Sequence, residues 1–145
     1  MFSSSILIIL ALFLLGPTTN PDNTVDETAG LTGAYAIVSV EKNGEKLPDK
    51  LVQGQMVRIS PDHIFVVDHE NKQTIVATYR LNASTVPWCI MMLSVLPQPG
   101  QEARGLVKRE GDLVWLIYHL PGGDAPTEFK TKQKQLLVVL RKLSK

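Results

Sequence analysis

Short runs of alternating apolar and polar residues, separated by turn residues, recur along most of this chain. In residues 73–81, Ile75, Ala77, Tyr79 and Leu81 alternate with polar side chains, apart from Val76. A period of two is typical of a β-strand with one face in contact with water. Runs rich in apolar and β-branched residues predict eight strands, over residues 35–41, 55–60, 63–68, 73–81, 87–96, 103–109, 113–119 and 136–143.

The segments between these runs are short and rich in Gly, Pro, Asn and Asp. Asn43-Gly44 and Glu110-Gly111-Asp112 supply residues that accept the positive φ of a tight reversal. Only residues 48–53 have room for a helical turn before the chain returns to strands. Strands joined by short turns, with no helices to cover a sheet, predict an all-β, eight-stranded antiparallel up-and-down barrel, because closure removes the sheet edges.

The first fifteen residues follow a different pattern. Ile6–Leu15 is an apolar block without charge. As a helix it rises only about 15 Å, half of a hydrocarbon core, and so it suits a signal peptide better than a membrane span. We predict a signal peptide over residues 1–20, a linker over 21–30 and a barrel domain over 31–145. The protein is then exported, to the periplasm or the extracellular space; the alternative is an uncleaved segment that anchors the barrel.

Composition narrows the classes of function. The chain has 145 residues, 44% hydrophobic and 20% charged, which is typical of one globular domain. Its formal net charge of +1 is far from the basic balance of nucleic-acid binders, so no nucleic-acid partner is predicted. The single cysteine excludes an intramolecular disulfide. Cys89 stands between Trp88 and Ile90, and these apolar neighbours predict a buried structural thiol.

No residue pattern in the chain specifies a reaction. Nucleophile-elbow, P-loop, dinucleotide-binding and His-Glu-x-x-His motifs are all missing from the sequence, so we expect a protein that is not an enzyme and has no cofactor. His63 and His69 lie roughly 20 Å apart along a straight strand, too far for one tetrahedral zinc, and no metal is predicted. Lys130, Lys132 and Lys134 alternate, which indicates either a solvated edge or a site for acidic polymers or anionic lipid head groups.

Several short motifs follow one another in a recognisable order. They are Leu31-Thr32-Gly33-Ala34-Tyr35, Asn43-Gly44 with Leu47-Pro48 after it, Gly105-Leu106-Val107, Gly111-Asp112 and Pro126-Thr127-Glu128-Phe129. This order resembles a family of small exported lipocalin-like domains of unknown function that is common in planctomycete-type bacteria. The resemblance covers residues 31–143. It implies a calycin-like barrel and an exported protein, and it brings no established activity and no catalytic residues.

The chain departs from the family pattern at two positions. The family commonly has Arg where this chain has Ala125, and an apolar residue where this chain has Arg109. Our hypothesis is that Arg109 supplies the missing guanidinium to Glu128, because an inward arginine must be paired. We therefore assign structural roles to Gly33, Arg109, Pro126 and Glu128. The alternative is an arginine exposed at the end of its hairpin.

Two functions remain open, because the interior of an eight-stranded barrel is either filled by side chains or able to hold one small ligand. The first expectation is a non-catalytic binding or interaction module of the cell envelope, with an envelope protein as its partner. The alternative is a carrier or sensor of a small apolar ligand. Candidates for the lining of its cavity are the aromatic residues Tyr35, Tyr79, Trp88, Trp115 and Phe129. Membrane contact is expected only through an uncleaved N-terminal segment.

Overall fold

The computed structural model describes residues 30–143, and this part of the chain is almost entirely β-structure. The predicted signal peptide and most of the predicted linker lie outside the described residues. The strands are β1 (Gly33–Lys42), β2 (Glu45–Lys46), β3 (Met56–Ile59), β4 (His63–Val67), β5 (Gln73–Asn82), β6 (Trp88–Leu96), β7 (Glu102–Glu110), β8 (Leu113–His119) and β9 (Gln135–Lys142), and the helix α1 is Asp49–Val52.

Eight of these strands close into an antiparallel barrel. Consecutive strands pair around the sheet, and β9 returns to pair with β1. The two residues of β2 only extend the end of β1. The predicted eight-stranded, up-and-down, lipocalin-like barrel is thereby confirmed, and each predicted run overlaps one barrel strand. The pairing of β5 with β6 shifts its register between Val76 and Ala77, where Val95 of β6 is the extra residue.

Alternate side chains of the barrel strands point inward and form the main core, which we call the inner cluster. Tyr35 and Leu140 are almost fully buried there. The buried members of the inner cluster are Leu31, Tyr35, Val57, Ile59, Ile64, Tyr79, Ile90, Met92, Val107, Val114, Leu116 and Leu140. Each fully buried side chain of this size contributes roughly 1.5–3 kcal/mol, so the inner cluster supplies a core that needs no disulfide.

A second group of apolar side chains packs on the outside of the barrel. Trp115 and Ile117 alternate along β8 with inward residues, and they belong to this outer cluster together with Phe129 from the long connection between β8 and β9. The other members are Leu106, Leu113, Leu137 and Val139. The connection, residues 120–134, therefore covers one part of the barrel wall.

Gly105 in β7 lies at a close approach between two strands. It lies directly across from Tyr118 of β8. A β-carbon at position 105 would stand 2.0 Å from the Ile117 carbonyl oxygen and 2.9 Å from the Tyr118 Cβ. Only glycine fits here without moving the backbone of β8, and the tyrosine ring shares the inward face with this glycine.

We expect Gly105→Ala to destabilise the barrel by roughly 3 kcal/mol, because the added methyl group meets backbone that cannot rotate away. Urea unfolding followed by circular dichroism measures the change. Gly100→Ala is the matched control: Gly100 has a φ of +92° but open space around it, so its cost should stay near 1 kcal/mol. Equal unfolding midpoints for the two variants would contradict the close-approach argument.

Candidate functional site

Two buried tyrosines hold the end of the barrel where β1 begins and β3 ends. The Tyr35 hydroxyl donates a hydrogen bond to the Leu31 carbonyl oxygen at 2.6 Å, and the Tyr79 hydroxyl donates to the Ser60 carbonyl oxygen at 2.7 Å. Burial raises the pKa of Tyr79 to about 12. Burial also raises the pKa of Tyr35, against the opposing effect of the positive charge of Arg109. Both hydroxyls stay protonated near neutral pH and act as structural donors.

A third inward tyrosine has no such acceptor. Tyr118 packs against the inner cluster, and burial raises the pKa of its hydroxyl. None of the hydrogen bonds among the described residues involves this hydroxyl. Tyr118 therefore offers a proton donor to the interior of the barrel.

Arg109 lies at the end of β7 and pairs in register with Val114, a member of the inner cluster. Its charge acts on Tyr35, and its side chain is exposed at the end of the hairpin. Glu128 is exposed and precedes Phe129, which packs on the outside of the wall. The pairing of Arg109 with Glu128 stays a prediction, and these positions do not favour it.

The other two residues with assigned structural roles lie far apart in the chain. Gly33 begins β1 beside the Lys142 side chain, where an added β-carbon would stand 3.0 Å from Lys142 Cε. Pro126 is buried in the connection between β8 and β9. Both positions are consistent with structural roles.

The five aromatic residues predicted to line one cavity do not come together. Tyr35, Tyr79 and Trp88 belong to the inner cluster. Trp115 and Phe129 belong to the outer cluster, so the prediction is wrong for these two residues. Their position follows from the alternation of β8, in which Val114 and Leu116 point inward and Trp115 between them points outward. The Lys108 ammonium covers both outer rings, at 4.5 Å from the Trp115 centroid and 4.9 Å from that of Phe129.

Cys89 also lies on the opposite face from the one predicted. It is exposed, with its Sγ 3.5 Å from the Thr85 Oγ1. The prediction of a buried thiol is wrong because its apolar neighbours Trp88 and Ile90 both point inward. In a strand, inward neighbours force the residue between them outward.

The outward face of β6 is apolar and uncovered. Met91, Leu93 and Val95 are exposed to 38%, 43% and 41%. We call these residues, together with Cys89, the β6 stripe. The signal for this surface is present in the sequence, because residues 88–96 are apolar at nearly every position rather than at alternate ones. A strand that is apolar on both faces needs cover on both, and within residues 30–143 this stripe is left largely uncovered.

Two arginines stand on either side of the β6 stripe. Arg80 of β5 and Arg104 of β7 both lie directly across from Met91. Both are exposed, and neither forms a salt bridge or hydrogen bond with another described residue. The next outward residue of the stripe, Leu93, lies across from Thr78 of β5 and Glu102 of β7. The outer wall at β6 is thus an apolar strip with two positive charges, those of Arg80 and Arg104, beside Met91.

A polar network fastens the connection between β8 and β9 to the first hairpin. The Glu41 carboxylate accepts hydrogen bonds from the Thr131 backbone N–H at 3.0 Å and from its hydroxyl. The Thr131 hydroxyl in turn accepts from the Gly44 N–H at 2.7 Å. Gln135 is buried and donates to the Asp124 carbonyl oxygen at 2.9 Å. The hydrogen bonds from Thr131 hold the pKa of Glu41 below its ordinary value.

The alternating lysines lie in this same connection. All three are exposed, but Thr131 between the first two is buried and Lys134 has a φ of 58°. The Lys134 backbone N–H donates to the Asn43 Oδ1 at 2.7 Å. The segment is a loop rather than an extended strand, so alternation does not place Lys130, Lys132 and Lys134 on one face.

The described residues contain no group of three or more His, Cys, Asp and Glu side chains arranged to hold a metal ion. His63 instead stacks on Phe65, and its Nδ1 lies 2.8 Å from the Asp62 Oδ1. No helix within residues 30–143 is long and apolar enough to cross a membrane.

Comparison with known proteins adds no relative from which a function could be inferred. No family model, no curated protein and no solved structure matches this chain. The class of the protein is therefore defined by its architecture, a closed lipocalin-like barrel, and its function has to be argued from the surfaces described above.

We expect acid to weaken the Glu41 network. Because the fold lowers the pKa of Glu41, its contribution to stability is fully present above the ordinary value of 4.5 and is lost as the pH falls through the lowered value. Glu41→Gln should cost about 1 kcal/mol near neutral pH, the usual net value of a hydrogen bond, and should lose less stability than the wild type between pH 5 and roughly pH 3.

Urea unfolding at a series of pH values measures this difference. Glu45→Gln is the control, since Glu45 is an exposed carboxylate of the same hairpin. Parallel pH profiles for the wild type and Glu41→Gln would show that Glu41 does not couple the connection to pH.

Proposed function

We propose that this protein is a non-catalytic binding module of the cell envelope that holds its partner on the outer wall of the barrel. The observation that carries the proposal is the β6 stripe, an exposed apolar strip on one strand of the barrel wall. Its place in the envelope rests on the predicted export signal. The proposal keeps the first expectation from the sequence and assigns it a surface.

The cost of exposing this stripe supports a role for it. Contiguous apolar surface rimmed by polar residues is typical of interaction sites on soluble proteins. The same barrel covers its other outward apolar patch, because residues 120–134 fold over the outer cluster. An uncovered strip beside a covered one favours a partner as the missing cover.

The buried tyrosines support the non-catalytic part of this proposal. Tyr35 and Tyr79 use their hydroxyls on backbone carbonyl groups, and both keep their protons near neutral pH. They are therefore poor candidates for proton transfer in a reaction. Both tyrosines belong to the inner cluster.

We expect contact-dependent crosslinking from the stripe and not from the opposite wall. The full chain, made in an exporting bacterium, carries a benzoylphenylalanine photocrosslinker in place of Leu93. Illumination should give adducts with envelope components, because Leu93 points away from the barrel. The readout is independent of any N-terminal tether, since the crosslinker reacts only with what touches it.

The matched control places the photocrosslinker at Val38 of β1, which is exposed to 39%. Strand β1 lies four strands away from β6 in either direction around the barrel. No adduct from position 93, or equal adducts from both positions, would refute the proposed binding surface.

A second function, that of a carrier for a small ligand, is favoured by one observation. The inward Tyr118 hydroxyl makes none of the hydrogen bonds found among residues 30–143, although burial raises its pKa. A hydroxyl that keeps its proton can donate a hydrogen bond to an acceptor on a ligand. The ligand would be apolar apart from that acceptor, because the inner cluster surrounds it.

If the barrel carries a ligand, we expect Tyr118→Phe to bind it about tenfold more weakly. Native mass spectrometry of the chain purified from an exporting host without detergent shows the bound mass, and an organic extract of the same sample identifies its class. Tyr79→Phe is the control, since the Tyr79 hydroxyl is already satisfied by Ser60. A bare polypeptide mass, before and after incubation with a lipid and metabolite extract, would exclude the carrier function.

A further inference from the structure

We propose that the partner of the β6 stripe is the surface of a bilayer that contains anionic phospholipids, bound by the barrel wall itself. This inference rests on the proposed function and names the partner. It differs from the expectation that membrane contact occurs only through the N-terminal segment. Its basis is the combination of an apolar strip with two arginines that have no acidic partner.

The charge pattern matches the interface of an anionic membrane. Arg80 and Arg104 flank Met91 from the two neighbouring strands. With the stripe facing the bilayer, both guanidinium groups would lie at the level of the lipid phosphates, which arginine binds in bidentate fashion. Met91 and Leu93 would then lie toward the acyl boundary, as apolar side chains do in interfacial segments.

The shape of the surface favours a lipid surface over a folded protein. The outer wall of a closed barrel is convex, and β6 is paired on both sides, so no strand can be added to it. A stable protein interface buries about 800 Å² on each partner. A single strip of side chains, each exposed to about 40%, falls well short of that area. A fluid bilayer surface, in contrast, adapts to a narrow convex strip.

A second copy of the chain is disfavoured by charge. In a two-fold dimer the same patch faces itself, so two copies would bring four arginines but only two glutamates, Glu102 from each copy, into one interface. Glu102, across from Leu93, is the acidic residue nearest the stripe in the strand pairing. The repulsion of Glu102 from an anionic surface opposes the attraction of the two arginines, so binding should be reversible and sensitive to salt.

The sole cysteine provides a probe within the stripe. Cys89 is exposed and shares the outward face of β6. An environment-sensitive fluorophore such as NBD, attached to Cys89 of the full chain, reports whether this wall enters lipid. It does so independently of the N-terminal segment, whose insertion would not by itself bury one side of the barrel.

We expect the emission of the Cys89 probe to shift to shorter wavelength with vesicles of phosphatidylcholine and phosphatidylglycerol, and not with phosphatidylcholine alone. High salt should reverse the shift. Replacing both arginines, Arg80→Ser and Arg104→Ser, should weaken binding roughly thirtyfold, because each basic residue near an anionic surface contributes about a factor of five. Leu93→Ser should weaken binding as well. Unchanged thermal unfolding midpoints would show that the variants keep their fold.

The control probe sits on the opposite wall. In a Cys89→Ser background, Val38→Cys places the fluorophore on β1, at a position of similar exposure. This probe should not respond to either type of vesicle. Equal responses at positions 89 and 38, equal responses to both lipid compositions, or no response at Cys89 would each overturn the inference. A shift that grows with protein concentration in the absence of vesicles would identify a second copy as the partner and would also overturn it.

The two proposals fail separately. Crosslinks from position 93 in the envelope, combined with no response to protein-free vesicles, would leave the binding surface standing and exclude the anionic bilayer as its partner. The absence of both signals would remove the surface and the lipid together.

Discussion

The pairing of the last strand with the first is the interaction on which the rest of the structure depends. Residues 136–142 of β9 pair with residues 35–42 of β1, with one register shift between Val139 and Leu140. This pairing leaves neither β1 nor β9 with an open edge, and it decides which side chains point inward. A slip of one residue would exchange the two faces of a strand. The network around Glu41 and Thr131 joins β1 to the connection that leads into β9, so it supports the same closure.

The lengths of the connections explain why one apolar outward surface of the barrel is covered and another is exposed. The connection between β8 and β9 starts and ends at the same end of the barrel, because Gln135 pairs with His119. It is long enough to fold over the wall, and it places Phe129 on the outer cluster. The turn that follows β6 is short and covers nothing beyond the strand ends. The β6 stripe is therefore exposed as a consequence of chain routing, while its residue types and the arginines beside it are features of the sequence.

The strands could be predicted from the sequence because their signals are local. The alternation over residues 73–81 and the turn residues around Gly111 can be recognised without knowing which strands pair with each other. The orientation of strands that are apolar on both faces could not be predicted in this way. Trp115 in a run of six apolar or aromatic residues, and Cys89 in another such run, each have two equally plausible faces until the closing register is known. Phe129 has no strand pattern of its own, and its position depends on where residues 120–134 fold back.

A closed barrel tolerates an exposed apolar strip better than an open sheet does. In an open sheet, such a strip near an edge invites further strands and aggregation. Here β6 has a paired strand on each side, so apolar association can occur only through side chains, on a convex surface and next to positive charge. These conditions disfavour tight association with proteins and permit reversible association with a soft, anionic surface. The same closure that builds the core therefore makes it physically acceptable to leave the β6 stripe uncovered.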